Sequence, residues 1–188
     1  MPDDSVPLLI VLIILLLLSA FFSSIETAYS CSSRIKLRSL ANCGKEKAKK
    51  TLNLAENKFD KLITTILVGN NIVNLTSATI SAIFFSKIIT NETSATLIST
   101  IVITLAVLII GEITPKFIAK TYPEKFSMTF YPIIILFYYL LYPFNFIFSG
   151  WKWFIAKIFR LKNNDVVTEE EIMTAALQAE EDGTIRKD

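Results

Sequence analysis

Apolar residues gather in three long runs, and polar, charged segments separate them. The runs cover residues 6–24, 62–86 and 95–119, and each is close to the length of about 20 residues that a helix needs to cross a bilayer. The first run, VPLLIVLIILLLLSAFFSS, resembles a signal peptide in hydropathy. However, Asp3 and Asp4 stand where a signal peptide has a basic leader, and no clear small-residue cleavage site follows. The pattern therefore predicts three transmembrane helices in an all-α integral membrane protein.

A fourth apolar region covers residues 126–161 and differs from the other three. It is uncharged from Phe126 to Trp151, is rich in aromatic residues, and contains Pro132 and Pro143. Aromatic side chains favour the membrane interface, and proline interrupts helices. We predict a proline-broken pair of juxtamembrane helices with a hinge near Tyr142. A true fourth span is the alternative.

Residues 162–188 are polar and acidic, and they predict the start of a cytosolic helix. Thr168 and Glu171 are spaced as a capping box, and Gly183 is placed to end the helix. The predicted organisation is a transmembrane domain over residues 1–161, followed by this acidic segment over residues 162–188.

The charge distribution predicts the orientation in the membrane. Nine Lys and Arg residues lie in residues 34–61, whereas Lys87 is alone in the segment between the second and third runs. Short basic loops stay in the cytoplasm, which predicts an N-terminus outside and a cytoplasmic C-terminus. Topology and attraction to anionic lipid explain the basic loop, and no nucleic-acid motif accompanies it. Cys31 and Cys43 fall on the reducing side, where a disulfide is not expected.

Glu112 is the sharpest candidate for chemistry within a span. It lies in LIIGEITPK, near the end of the third run, where a carboxylate is expensive to bury and commonly marks an ion path. The alternative is a local ion pair with Lys116, four residues later. Pro115 lacks an N–H and pushes away the carbonyl of Gly111, so broken backbone could line a cation site. A simple kink is the alternative.

The second and first runs carry further polar candidates. Asn70 and Asn74 share one helix face, and Gly69 allows another helix to approach closely; hydrogen bonding between helices is the alternative for the two amides. In the first run, Ser23 and Glu26 share a face and Ser30 lies about two turns from Ser23. Each serine hydroxyl could instead bond back to its own helix.

Depth along the helices allows these groups to meet. Ser23 and Glu112 each lie about 26 Å from the outer end of their span, and Asn70 lies about 12 Å from the inner end of its own, at 1.5 Å per residue. All three are therefore in the inner half of the bilayer. Carboxylate, amide and hydroxyl oxygens suit Mg²⁺, Ca²⁺, Mn²⁺ or Na⁺ better than Zn²⁺ or copper, and the chain has no His.

Four sequence blocks, in order, also carry a family resemblance. They are FFSSIETAYSCSSRIKLRSLA, ILVGNNIVN, GEITPKFIAKTYPEKFS and the acidic VTEEE stretch. Together they resemble the transmembrane domain of the cyclin M/CorC magnesium-transport family over nearly the whole chain.

The resemblance implies a homodimer in the cell membrane that exports Mg²⁺ in exchange for Na⁺, and a nucleotide-sensing pair of CBS modules after the acidic helix. By position, it implies a Mg²⁺ site at Ser23, Gly69, Asn70, Asn74, Gly111 and Glu112. We assign a gating or supporting role to four further residues, Glu26, Ser30, Pro115 and Lys116. Ligand type alone does not select Mg²⁺ over Ca²⁺ or Mn²⁺.

Two other function classes are alternatives to transport. A membrane-anchored cation sensor would bind Mg²⁺ without moving it. An intramembrane hydrolase is disfavoured, because the spans contain no Asp, the chain contains no His, and neither G-x-S-x-G nor H-E-x-x-H occurs. We therefore expect a transporter and not an enzyme.

Overall fold

The computed structural model describes residues 5–158, and this part of the chain contains helices and no strand. A π-helical segment, Val107–Ile113, joins two of the α-helices without a break. The α-helices are α1 (Ser5–Cys31), α2 (Arg34–Asn42), α3 (Glu46–Asn57), α4 (Phe59–Ser86), α5 (Glu92–Ala106), α6 (Thr114–Thr121), α7 (Pro123–Leu140) and α8 (Tyr142–Ile158).

Three helices in the described part are long and apolar enough to cross a membrane, which confirms the predicted spans. They are α1, α4 and the continuous run of α5, the π segment and α6 over Glu92–Thr121. Large apolar side chains on these helices are exposed, for example Leu17 at 64%, Leu75 at 71% and Phe117 at 73%. Such surfaces suit hydrocarbon, since a spanning helix satisfies its backbone internally and needs apolar side chains outside.

The first helix, α1, is the centre of the bundle, because it packs against α4, the π segment, α6 and α7. Phe22, Ile25 and Tyr29 on α1 are almost fully buried and form a core with Ile66 of α4 and Ile134 of α7. Gly69 lets α1 and α4 approach closely, since a Cβ there would lie 2.5 Å from the Phe22 ring. The predicted role of Gly69 in close approach is thus confirmed.

A helical hairpin, α2 and α3, follows the first span. Ser33 caps α2 by accepting a hydrogen bond from the Lys36 N–H. Gly44 ends the helix with φ of 83°, and the N–H groups of Gly44 and Lys45 donate to the carbonyls of Ala41 and Leu40. This is the Schellman arrangement, which favours glycine at the left-handed position. It turns the chain directly into α3.

The fourth apolar region forms two helices, as predicted, and the break lies at Leu141 between α7 and α8. Pro132 does not interrupt α7. Neither helix is among the candidate spans of the described part. Phe137 of α7 packs edge-on against Phe22, with ring centroids 4.9 Å apart, so α7 lies against the spanning helices.

Two compact units divide the chain, residues 1–149 and residues 150–188. Of the second unit, the structure describes only the end of α8. The domain boundary predicted at residue 161, the capping box of Thr168 and Glu171, and the helix end at Gly183 lie outside the described residues and remain predictions.

Candidate functional site

Ser19 of α1 joins the two asparagines of α4. Its hydroxyl donates to Oδ1 of Asn74 at 2.8 Å and lies 3.4 Å from Oδ1 of Asn70. Asn70 and Asn74 are one helical turn apart, so both amides reach the same point on α1. Ser19 itself is fully buried. The contact therefore places three polar side chains inside the bundle.

Glu112 in the π segment completes this group. Its Oε1 accepts a hydrogen bond from Nδ2 of Asn74 at 3.4 Å, and its side chain is only partly buried. We call Ser19, Asn70, Asn74 and Glu112 the oxygen cluster. Three separate spanning helices supply its four members, so the cluster exists only in the folded bundle.

A cavity of about 220 Å³ borders the oxygen cluster between α4, α5 and the π segment. Its walls are mostly apolar, with Thr104 as a further polar group. The lining residues are Asn74, Ala78, Ile103, Thr104, Val107, Leu108 and Glu112. From Glu112 to Thr104 the third span rises eight residues, or about 12 Å, so the cavity leads from the cluster toward the α5 end of that span.

Pro115 and Gly111 account for the local shape of the third span. The N–H of Thr114 donates to the carbonyl of Ile109, five residues earlier, as a π-helix requires. Pro115 follows directly and has no N–H to offer. The sequence predicted broken backbone or a simple kink here; instead the helix stays continuous and widens. Gly111 is buried against Ser19, and a Cβ at this position would lie 2.8 Å from its Oγ.

Lys116 does not pair with Glu112, so that alternative was wrong. Its ammonium lies 3.1 Å from Oε2 of Glu26 on α1. A partner across a helix interface depends on how α1 and α6 pack, which the i,i+4 spacing does not contain. The carboxylate of Glu112 therefore remains directed to Asn74.

Three other predicted site residues make no described hydrogen bond to the oxygen cluster. Ser23 is fully buried one turn from Ser19, and its hydroxyl has no hydrogen-bond partner among the described residues. Ser30 is exposed, and no described contact joins it to the oxygen cluster. Gly69 faces Phe22, so its contribution is to helix packing.

Sequence reasoning missed Ser19. The available signal was its spacing, since Ser19 lies four residues before Ser23 and therefore shares its helix face. A serine inside an apolar run commonly bonds back to its own helix. Only the approach of α4 shows that this hydroxyl bonds to another span.

Oxygen is the donor element throughout the cluster. The side chains supply one carboxylate, two amide oxygens and one hydroxyl, and buried Ser23 adds a second hydroxyl nearby. Among the described residues, no group of three or more His, Cys, Asp or Glu side chains could hold a metal ion. A cation here would thus meet hard ligands with little formal negative charge.

Comparison with known proteins places this bundle in a family. Residues 10–188 match the family described as the cyclin M transmembrane N-terminal domain. The chain belongs to the cyclin M transmembrane-domain family. All three spans of this cyclin M domain lie within the match or begin just before it, and the oxygen cluster lies wholly inside.

Relatives of this cyclin M domain are longer proteins. The UPF0053 inner membrane protein YfjD of Escherichia coli is 32% identical over 168 residues, which are 89% of this chain and 37% of the relative. A UPF0053 protein of Haemophilus influenzae is 32% identical over 184 residues, or 95% of this chain and 43% of the relative. A chloroplastic DUF21 domain-containing protein of Arabidopsis thaliana is 30% identical over 90% of this chain and 26% of its own length. The chain therefore spans less than half of these relatives.

Proposed function

We propose that this cyclin M domain carries Mg²⁺ across the membrane through the oxygen cluster, in exchange for Na⁺. One observation carries the proposal: Glu112 lies within a spanning helix, beside amide and hydroxyl oxygens from two other spans. A carboxylate at such a position is costly unless it is paired or binds an ion.

The ligand chemistry supports a weakly held divalent cation. Asn74 Oδ1 accepts from Ser19, but a carbonyl oxygen has two lone pairs and can also bind an ion. The Ser19 oxygen likewise keeps its lone pairs when its proton is donated. A site with a single carboxylate binds less tightly than one with several, and an ion that is to be carried must also leave.

The π segment supports a site that can change shape. π-Helical turns are rare and concentrate at functional positions, and here the turn presents Glu112 toward Asn74. Na⁺ binding would compete for the Glu112 carboxylate and weaken the cage around Mg²⁺. The Glu26–Lys116 pair joins α1 and α6 further along the two helices, seven residues beyond Ser19 and four beyond Glu112.

The proposal also covers the oligomeric state, the membrane and the orientation of the domain. We place the domain in the cell membrane as a homodimer, with the N-terminus outside and the α2–α3 hairpin in the cytoplasm. In the full-length protein a CBS-pair module follows the acidic segment. The proposed activity is transport, and no enzyme activity is part of the proposal.

Flux in liposomes tests the proposal. Purified protein is reconstituted, and Mg²⁺ movement is followed with and without a Na⁺ gradient for the natural sequence, Glu112→Ala and Asn71→Ala. Asn71 is exposed beside Asn70 and serves as the matched control. We expect gradient-dependent flux that Glu112→Ala abolishes and Asn71→Ala retains.

Two results would contradict transport. Equal flux in the natural protein and Glu112→Ala would show that the ion path does not pass through the oxygen cluster. Saturable Mg²⁺ binding that Glu112→Ala abolishes, with no flux in any variant, would favour the sensor instead.

A further inference from the structure

A cleft lies where the turn between α2 and α3 meets the beginning of α7. Its volume is about 370 Å³, and it is lined by Lys45, Glu46, Lys47, Lys125, Met128 and Thr129. We call these six residues the basic cleft. It is separate from the oxygen cluster and shares no residue with it.

Positive charge dominates the basic cleft. Three lysines and one glutamate line it, which leaves a net charge of +2. Lys45, Lys47 and Lys125 form no ion pair with residues that the structure describes. The Schellman turn at Gly44 brings Lys45 and Lys47 to this edge of the hairpin. Three neighbouring ammonium groups repel one another, and an anion among them would lower that energy.

An apolar stripe on α7 begins at the same place. One face of α7 carries, at helical spacing, Lys125 and Thr129 of the basic cleft and then the apolar residues Ile133, Leu136 and Leu140. This face is exposed: Leu136 is 64% and Leu140 is 66% accessible. The apolar part of this face, from Ile133 to Leu140, extends about 11 Å at 1.5 Å per residue, which fits within the hydrocarbon depth of one leaflet, about 15 Å.

The basic cleft also lies at a membrane boundary. The three spans alternate in direction, so the end of α1 at Cys31, the start of α4 at Phe59 and the end of α6 at Thr121 share one side. Lys125 comes four residues after that last end. The cleft is thus at headgroup level, while the later part of α7 packs beside the spans.

We propose that the basic cleft and the apolar stripe together bind one anionic phospholipid of the adjoining leaflet. The phosphate lies among Lys45, Lys47 and Lys125, where clustered lysines attract anionic headgroups. The acyl chains lie along Ile133, Leu136 and Leu140. A soluble phosphate would use the cleft alone, whereas an amphiphile uses both surfaces.

Native mass spectrometry of the purified chain in detergent tests this site. The probes are dioleoylphosphatidylglycerol, dioleoylphosphatidylcholine and glycerol 3-phosphate. The first variant is Lys45→Gln/Lys47→Gln/Lys125→Gln. Its control, Lys36→Gln/Lys49→Gln/Lys50→Gln, removes the same charge from exposed lysines outside the cleft. Leu136→Ser probes the stripe, and circular dichroism verifies that each variant is folded.

We expect the natural protein to bind phosphatidylglycerol about tenfold more tightly than phosphatidylcholine. The affinity for phosphatidylglycerol should fall about tenfold in the cleft variant and change less than about twofold in the control variant. Leu136→Ser should weaken the binding of both lipids, and Glu112→Ala should retain phosphatidylglycerol binding. Equal losses in the cleft and control variants would overturn the proposal in favour of diffuse attraction. Glycerol 3-phosphate competing at equal concentration would identify a soluble-anion site instead. Equal affinity for the two lipids would show that the lysines do not select an anionic headgroup.

Discussion

Ser19 forms the hydrogen bonds between α1 and α4 inside the bundle. Its hydroxyl donates to the Asn74 amide, and the same amide donates to Glu112. Each member thereby orients the next, and their oxygen lone pairs remain available. Ser23, one turn further along α1, is fully buried and adds a second hydroxyl to this part of the bundle.

Gly111 makes this arrangement possible, and enlarging it is the residue-scale prediction. In Gly111→Ala the new Cβ would meet Ser19 Oγ at 2.8 Å and Ser19 Cβ at 3.2 Å. Rotating the hydroxyl relieves only the first contact. We expect a loss of about 1–3 kcal/mol in stability from overpacking, and Mg²⁺ affinity about fivefold lower from the displaced hydrogen bond.

Thermal unfolding in detergent and Mg²⁺ titration calorimetry measure these two effects. Gly150→Ala is the control, since a Cβ at Gly150 would meet nothing within 4 Å. It should be neutral or slightly stabilising, because alanine favours a helix. Gly111→Ala behaving like Gly150→Ala in both assays would contradict the prediction.

At the scale of elements, the third span combines a regular helix with a π segment. The segment ends just before Pro115, where no N–H is available to continue the α-helical ladder. The wider turn places Gly111 against Ser19 and Glu112 toward Asn74. The Glu26–Lys116 pair is partly exposed, and pairs of this kind contribute about 0–1 kcal/mol. We therefore attribute the shape of the site to the π segment.

Pro115→Ala tests that attribution. The new N–H would allow an α-helical register, so stability should rise by up to about 3 kcal/mol while Mg²⁺ binding falls. Pro132→Ala is the matched control, because Pro132 also lies inside a helix but away from the oxygen cluster. It should gain stability and leave Mg²⁺ binding unchanged. Native-like Mg²⁺ binding by Pro115→Ala would show that the proline does not maintain the site. Chemical unfolding and calorimetry provide both measurements.

For the whole molecule, three spans leave the α2–α3 hairpin and the start of α7 on one side of the membrane. Cys43 in the hairpin turn is free and exposed, which provides a natural reporter of orientation. The excess of Lys and Arg in the same hairpin predicts that this side is the cytoplasm.

Labelling with a membrane-impermeant maleimide tests the orientation in a Cys31→Ser background. We expect Cys43 to react in inside-out vesicles and to be protected in intact cells. The comparison variant carries Thr90→Cys with Cys31→Ser and Cys43→Ser, and it should react in intact cells, because Thr90 is exposed in the turn between α4 and α5. Reaction of Cys43 in intact cells would reverse the predicted topology.

Local patterns predicted much of the fold. The three spans follow from uninterrupted apolar length, and the break between α7 and α8 lies within two residues of the predicted hinge at Tyr142 and Pro143. The candidate site was predicted in part: Asn70, Asn74, Gly111 and Glu112 come together, whereas Ser19 was missed and Lys116 pairs with Glu26. Those two contacts join different helices, so neither is visible in the spacing along one helix.

By itself the sequence determined the class of the protein, the number of spans and the chemical kind of its buried groups, because hydropathy and residue type are properties of each segment. Only the tertiary structure decided which of those groups meet. The approach of α1 and α4 at Gly69 and of α1 and the π segment at Gly111 sets which side chains are opposed. That choice depends on packing between segments far apart in the chain, where a shift of one helical turn brings different residues together.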